Sequence, residues 1–84
     1  MTTVTPQPRI RVPFPVEVPG LAFTPAAPGL WRVARADGSV LGHVEHRGEG
    51  AASRFAARRL TAGTLRSTEI GEFWSAREAA ELFR

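Results

Sequence analysis

From Arg9 to Val18 the chain alternates strictly, with Ile10, Val12, Phe14, Val16 and Val18 apolar and Arg9, Arg11, Pro13, Pro15 and Glu17 between them. A period of two puts the apolar set on one side of an extended chain, so a strand with one buried face is expected over 9–18. Pro13, Pro15 and Pro19 share one parity, and proline has no N–H to give to a ladder. Only one flank of such a strand can pair fully, which makes it an edge strand protected against further pairing. The alternative is a polyproline-type ligand segment, for which the PAAP of residues 25–28 supplies one PxxP spacing.

Further along, a pattern occurs twice. WRVAR (31–35) is followed by VLGHV (40–44), and FAARR (55–59) by EIGEF (69–73): an aromatic, a small or branched residue, arginine, then apolar-Gly-x-apolar. Each half reads as a hairpin. The first turns at Asp37-Gly38, a strong two-residue hairpin signal, and the second turns within the longer LTAGTLRST. HRGEGAAS, between the halves, reads as a flexible loop. Gly42 and Gly71 hold matching strand positions, where bulges or a close helix are expected rather than a ligand cradle.

The C-terminal run predicts a helix. Ser75 and Glu78 form a capping box, in which the serine hydroxyl accepts from the Glu78 N–H and the glutamate reaches back to the Ser75 N–H. Trp74 and Ala79 stand at the staple positions. Ala76, Ala79, Ala80 and Phe83 make an apolar stripe whose small residues let a helix lie close to a sheet, while Glu78 and Glu81 face water. Arg84 suits the helix dipole.

The expected fold is α+β: a small antiparallel sheet of four or five strands, built from two hairpins and the N-terminal edge strand, packed by one C-terminal helix. All seven prolines lie in the first 28 residues. That divides the chain into a proline-rich arm, 1–28, and a ββββα body, 29–84.

Composition narrows the function classes. The 84 residues allow one domain, and without cysteine neither a disulfide nor a cysteine metal site can staple it. Oligomerisation is the staple left open. No signal peptide or apolar span is evident, so a cytoplasmic protein without membrane attachment is the default. All 11 basic residues are arginine, and the net charge of +3 permits an anionic partner without requiring one.

Catalysis has no visible constellation, and neither a metal nor another cofactor is expected. His43 and His46 are three apart on an expected strand, which sends them to opposite faces. Asp37 is explained by its turn, and no GxxxxGK[ST] phosphate loop is present.

Arginine placement is more informative. Between Gly50 and Thr68 the chain carries Arg54, Arg58, Arg59 and Arg66 and no acidic residue; from Glu69 onward glutamates dominate. On a strand, Arg54 and Arg58 share one face and Phe55, Ala57 and Arg59 the other. If Phe55 and Ala57 lie under the helix, Arg54 and Arg58 stand on the open face. There they can meet phosphates or guanine edges, or be balanced by Glu45 or Glu49 across the ladder.

Residues 53–84 also resemble a known family. Phe55-Ala56-Ala57, Ile70-Gly71-Glu72-Phe73 and Ser75-Ala76-Arg77-Glu78-Ala79-Ala80 to Phe83 are similar to the second half of the ethylene-response-factor (apetala-two) type DNA-binding domain. The same plan recurs in the arm-binding domains of tyrosine recombinases. The resemblance implies a three-stranded sheet that enters the major groove, with the helix packed behind it. Glu45 stands where the family has a base-reading arginine, and Phe55 stands for the family's tryptophan.

These readings converge on a non-enzymatic module that binds nucleic acid through a sheet face, with Arg54, Arg58, Arg59 and Arg66 as contacts and Arg47 as a loop contact. The rival is a protein-interaction or structural module, homodimeric through the proline-rich arm or through a sheet edge.

Overall fold

Five extended runs pair in chain order. The computed structural model describes residues 12–61, 63–64 and 66–84. Its elements are β1 (Leu21–Ala27), β2 (Leu30–Arg35), β3 (Val40–Arg47), β4 (Arg54–Leu60), β5 (Ser67–Phe73) and α1 (Ala76–Glu81). Each strand is antiparallel to the next, giving one five-stranded sheet in the order β1-β2-β3-β4-β5. With one short α-helix after the sheet among the described residues, the fold is α+β.

The proline-rich region departs from the simplest reading of its pattern. Part of the strand expected over 9–18 lies outside the described residues, and residues 12–20 contain no strand. The edge strand is β1, which carries Pro25 opposite Trp31 and shifts register between Pro25 and Ala27. A proline is tolerated there because β1 has a neighbour on one side only. The alternation at 14–18 nevertheless reports packing: Phe14 and Val18 are buried and Val16 partly buried, while Pro13, Pro15 and Glu17 are exposed, and Val12 at the start of the run is exposed as well. Prolines 13, 15 and 19 remove ladder donors, so this segment contributes an apolar side without a pairing edge.

That apolar side covers the β1–β2 half of the sheet. The Phe14 ring stacks on Phe23 with centroids 4.2 Å apart and meets Trp31 edge-on at 5.3 Å. Trp31 Nε1 donates to the Val12 carbonyl at 2.7 Å, which satisfies the indole N–H. The position where the proline-rich run ends is a two-residue turn, Pro28-Gly29, with Gly29 at φ 70°. Prolines at 25 and 28 therefore belong to the sheet's first strand and turn.

Over the other half lies α1, in contact with β3, β4 and β5. Ala76, Ala79, Ala80 and Phe83 are buried as the stripe predicts. Ser75 Oγ accepts from the Glu78 N–H at 3.1 Å, and the same hydroxyl donates to the Glu78 carboxylate at 3.1 Å. The glutamate thus meets the serine side chain rather than its N–H. Trp74 stays 70% exposed, so it does not staple Ala79, which the sheet already covers completely.

The repeated pattern has a shared geometry. Gly42 faces Val33 and Gly71 faces Ala57, and in both halves the ladder shifts register immediately afterwards, at Val33/Ala34 and at Ala57/Arg58. Gly42 also admits the helix end: a Cβ there would collide with the Arg58 carbonyl and lie 2.8 Å from the Phe83 ring. The chain turns from β2 to β3 over residues 36–39, around Asp37 and Gly38, with Asp37 Oδ1 accepting from the Ser39 N–H at 2.9 Å. That hydrogen bond holds the Asp37 carboxyl below its ordinary value.

Candidate functional site

Because Trp31, Val33, Val44 and Ala57 are buried beneath the helix and the 12–20 segment, alternation sends their strand neighbours to the uncovered face. Arg32 from β2, His43, Glu45 and Arg47 from β3, and Arg54, Ala56 and Arg58 from β4 occupy it. Glu69 and Glu72 join from β5, opposite Arg58 and Ala56.

Of the five arginines singled out from the sequence, the structure brings Arg47, Arg54 and Arg58 together. Arg47 ends β3 instead of lying in the following loop, and its ladder partner is Arg54. Arg59 is on the helix side of β4, opposite Gly42 and Thr68, and is exposed. Arg66 lies in the β4–β5 connection, with its N–H bonded to Thr64 Oγ1 at 3.1 Å.

Two like-charged cross-strand contacts occur on the open face, and the fold treats them differently. At one end Arg47 and Arg54 are directly opposite, an unfavourable pairing on its own. Here three glutamates intervene. Arg47 reaches Glu45 at 2.9 Å, Glu69 at 2.8 Å and Glu72 at 3.0 Å, and Arg54 reaches the other oxygen of Glu72 at 3.0 Å. The guanidinium of Arg47 is held firmly protonated by these carboxylates, and Glu69 is in turn pushed below the usual carboxylate range, chiefly by its hydrogen bond from Arg47. All members are partly exposed, so solvent screens each pair and its share of stability is small.

Two rows further along this face, past Glu45 and Ala56, the order is Thr24, Arg32, His43, Arg58, Glu69, one residue from each strand. Three side chains able to carry positive charge are neighbours. Their acidic company is thin: Arg58 Nη1 lies 3.7 Å from Glu69, which is already bonded to Arg47, and its other contact is to Ser67 Oγ at 3.4 Å. Arg32 is exposed and has no acidic partner among the described residues. Burial, together with the charges of Arg32 and Arg58, keeps the His43 imidazole below its ordinary pKa.

Sequence reasoning selected Arg58 but passed over Arg32 and His43. The parity of Arg32 between Trp31 and Val33 was the available signal; its alignment with His43 depends on the β2–β3 register. The two histidines do take opposite faces. His46 stacks on Phe55 with centroids 4.9 Å apart and bonds Ser53 Oγ. Of the acidic partners considered for the open face, Glu45 engages; among the described residues Glu49 makes no ion pair, and Glu69 and Glu72 do more than either.

Elsewhere the surface offers little chemistry. The groove beside the 12–20 segment is lined by Phe14, Val16, Val18, Leu21 and Phe23, with Glu17 as its ionisable group. Among the described residues no three His, Asp or Glu side chains are placed to share a metal, and no helix is long and apolar enough to cross a membrane. Ile70, Trp74 and Leu82, on and just after the edge strand β5, are exposed apolar groups. Comparison with protein-family models, with curated proteins and with solved structures gave no match to this chain.

Proposed function

We propose that the protein is a non-enzymatic module that binds nucleic acid across its open sheet face, with Arg32 and Arg58 as phosphate contacts. The observation that carries this reading is the Arg32–His43–Arg58 row: three adjacent side chains of one potential sign, in which Arg32 has no acidic partner among the described residues and Arg58 has only Glu69 at 3.7 Å, shared with Arg47. A phosphate backbone supplies the missing negative charge. A three-stranded portion, β3-β4-β5, with a helix behind it also fits the plan implied by the resemblance of residues 53–84 to sheet-face DNA-binding domains.

Arg47 and Arg54 have a different role in this reading. Their ion pairs order one end of the face and bar it from long-range attraction, since Arg47 and Arg54 are held by Glu45, Glu69 and Glu72. Arg59 and Arg66 are exposed outside the face and lend general positive potential. The test is a titration of labelled mixed-sequence duplex DNA, at low and moderate salt, with the wild type and with Arg32→Ala/Arg58→Ala. Salt-sensitive binding that weakens in the folded variant supports the reading; absence of binding at low salt removes it.

One observation favours a second reading, a homotypic protein-interaction module. Ile70, Trp74 and Leu82 expose apolar surface along β5, whose outer edge has no strand partner among the described residues. Sedimentation of the wild type and of Trp74→Ala distinguishes it, since self-association lost in the variant supports an edge-to-edge dimer.

A further inference from the structure

We propose that Arg32, His43 and Arg58 form one phosphodiester seat in which binding of the anion favours the charged form of His43. The proposal rests on the nucleic-acid reading above and adds the identity of a subsite and its coupling to protons.

The three residues are successive partners across β2, β3 and β4, with backbones about 4.8 Å apart at each step. His43, short and central, is flanked by two long guanidinium side chains that can close over one tetrahedral anion above the imidazole. The ring has no hydrogen-bond partner among the described residues, unlike His46, which is held by Ser53. Arg58 is only loosely engaged, by Ser67 at 3.4 Å and Glu69 at 3.7 Å.

The groups that face His43 set the sign of the coupling. From β2 comes Arg32 and from β4 Arg58, both cationic; on its own strand Glu45 lies two residues on and bonds Arg47, and Glu69 of β5 lies beyond Arg58 and bonds Arg47 also. In the free protein the flanking cations and partial burial disfavour imidazolium, and the pKa falls. A phosphodiester placed between the arginines screens them and accepts from the ring N–H, so the pKa rises on binding. Binding therefore takes up a proton, and affinity increases as pH falls from above the bound-state pKa to below the free-state one.

The probe is an oligonucleotide with a 5′-hydroxyl end, whose phosphodiesters do not titrate in this range. Its affinity is measured from about pH 8 to about pH 5.5 at constant ionic strength, for the wild type, His43→Gln and Arg32→Gln/Arg58→Gln. For the wild type the affinity is expected to rise with a limiting slope of about tenfold per pH unit. His43→Gln should show a flat profile across this range, whatever its affinity at high pH. Ring titration of His43 by NMR should move upward when the oligonucleotide is bound, and sulfate at the same ionic strength reports whether a free tetrahedral anion suffices. A flat wild-type profile with binding still weakened in Arg32→Gln/Arg58→Gln overturns the proton coupling and leaves the nucleic-acid reading standing. A pH dependence that survives in His43→Gln overturns it as well. Equal binding by Arg32→Gln/Arg58→Gln overturns the seat and the reading together.

Discussion

His43 lies directly across the β3–β4 ladder from Arg58, two groups of the same potential charge held as ladder partners on an uncovered face. Folding favours the neutral imidazole there, because partial burial and the flanking arginines lower its pKa. A histidine with a folded pKa below the unfolded one must charge at a cost, so stability falls as pH drops below about 6.5 and through the lowered folded value. Chemical denaturation at about pH 7.5 and about pH 5 should show the wild type losing more stability than His43→Gln. Equal losses would mean that the ring is not constrained by its neighbours.

The Arg47 network makes the opposite contribution. Glu69 has its folded pKa lowered by Arg47, so its share of stability is present above the ordinary carboxylate range and disappears as pH falls through the folded value. Arg47→Ala should flatten the acid limb of the stability profile below about pH 4.5. Equilibrium unfolding across that range measures it.

Gly42 should not tolerate a side chain. A Cβ would collide with the Arg58 carbonyl and crowd the Phe83 ring, so Gly42→Ala must displace either the ladder or the helix end. The expected loss is about 2 kcal/mol, within the range for overpacking a close contact. Urea unfolding followed by circular dichroism reads it directly.

Phe83→Ala should cost more, about 3 kcal/mol, since the ring is almost fully buried between α1 and β3 and nothing else in the short helix fills its volume. Ser75→Ala removes the hydroxyl that both caps the Glu78 N–H and binds its carboxylate, at a cost of about 1 kcal/mol. The two substitutions flank α1, one at its N-cap and one just past its C-terminal end, and their denaturation midpoints should fall in that order.

How far the pattern of residues foretold this arrangement differs between elements. The C-terminal stripe, the Asp37-Gly38 turn and the separation of Arg54 and Arg58 from Phe55 and Ala57 follow from local periodicity, and all appear. β1 was hidden, because Pro25 and Pro28 read as breakers although an edge strand and a two-residue turn accommodate both. Residues 12–18 misled in the other direction, since alternation records which side is buried and prolines decide whether the backbone can pair. The partners of Arg47 were illegible for a further reason: Glu69 and Glu72 reach it only through the β4–β5 register after the shift at Ala57/Arg58. The Arg32–His43 alignment depends in the same way on the ladder between β2 and β3.

The measurement that tests the central claim most directly is the salt dependence of duplex DNA binding by the wild type, Arg32→Ala/Arg58→Ala and Arg47→Ala/Arg54→Ala, each checked for folding. Two phosphates neutralised by Arg32 and Arg58 give a log–log slope of about −1.8, from about −0.9 per phosphate. That slope should collapse in Arg32→Ala/Arg58→Ala. Arg47→Ala/Arg54→Ala leaves Glu45, Glu69 and Glu72 without their partners and should weaken binding by repulsion, but the slope, set by the phosphates that Arg32 and Arg58 contact, should persist. A flat response in the wild type, or loss of binding only when Arg47 and Arg54 are removed, would contradict the account.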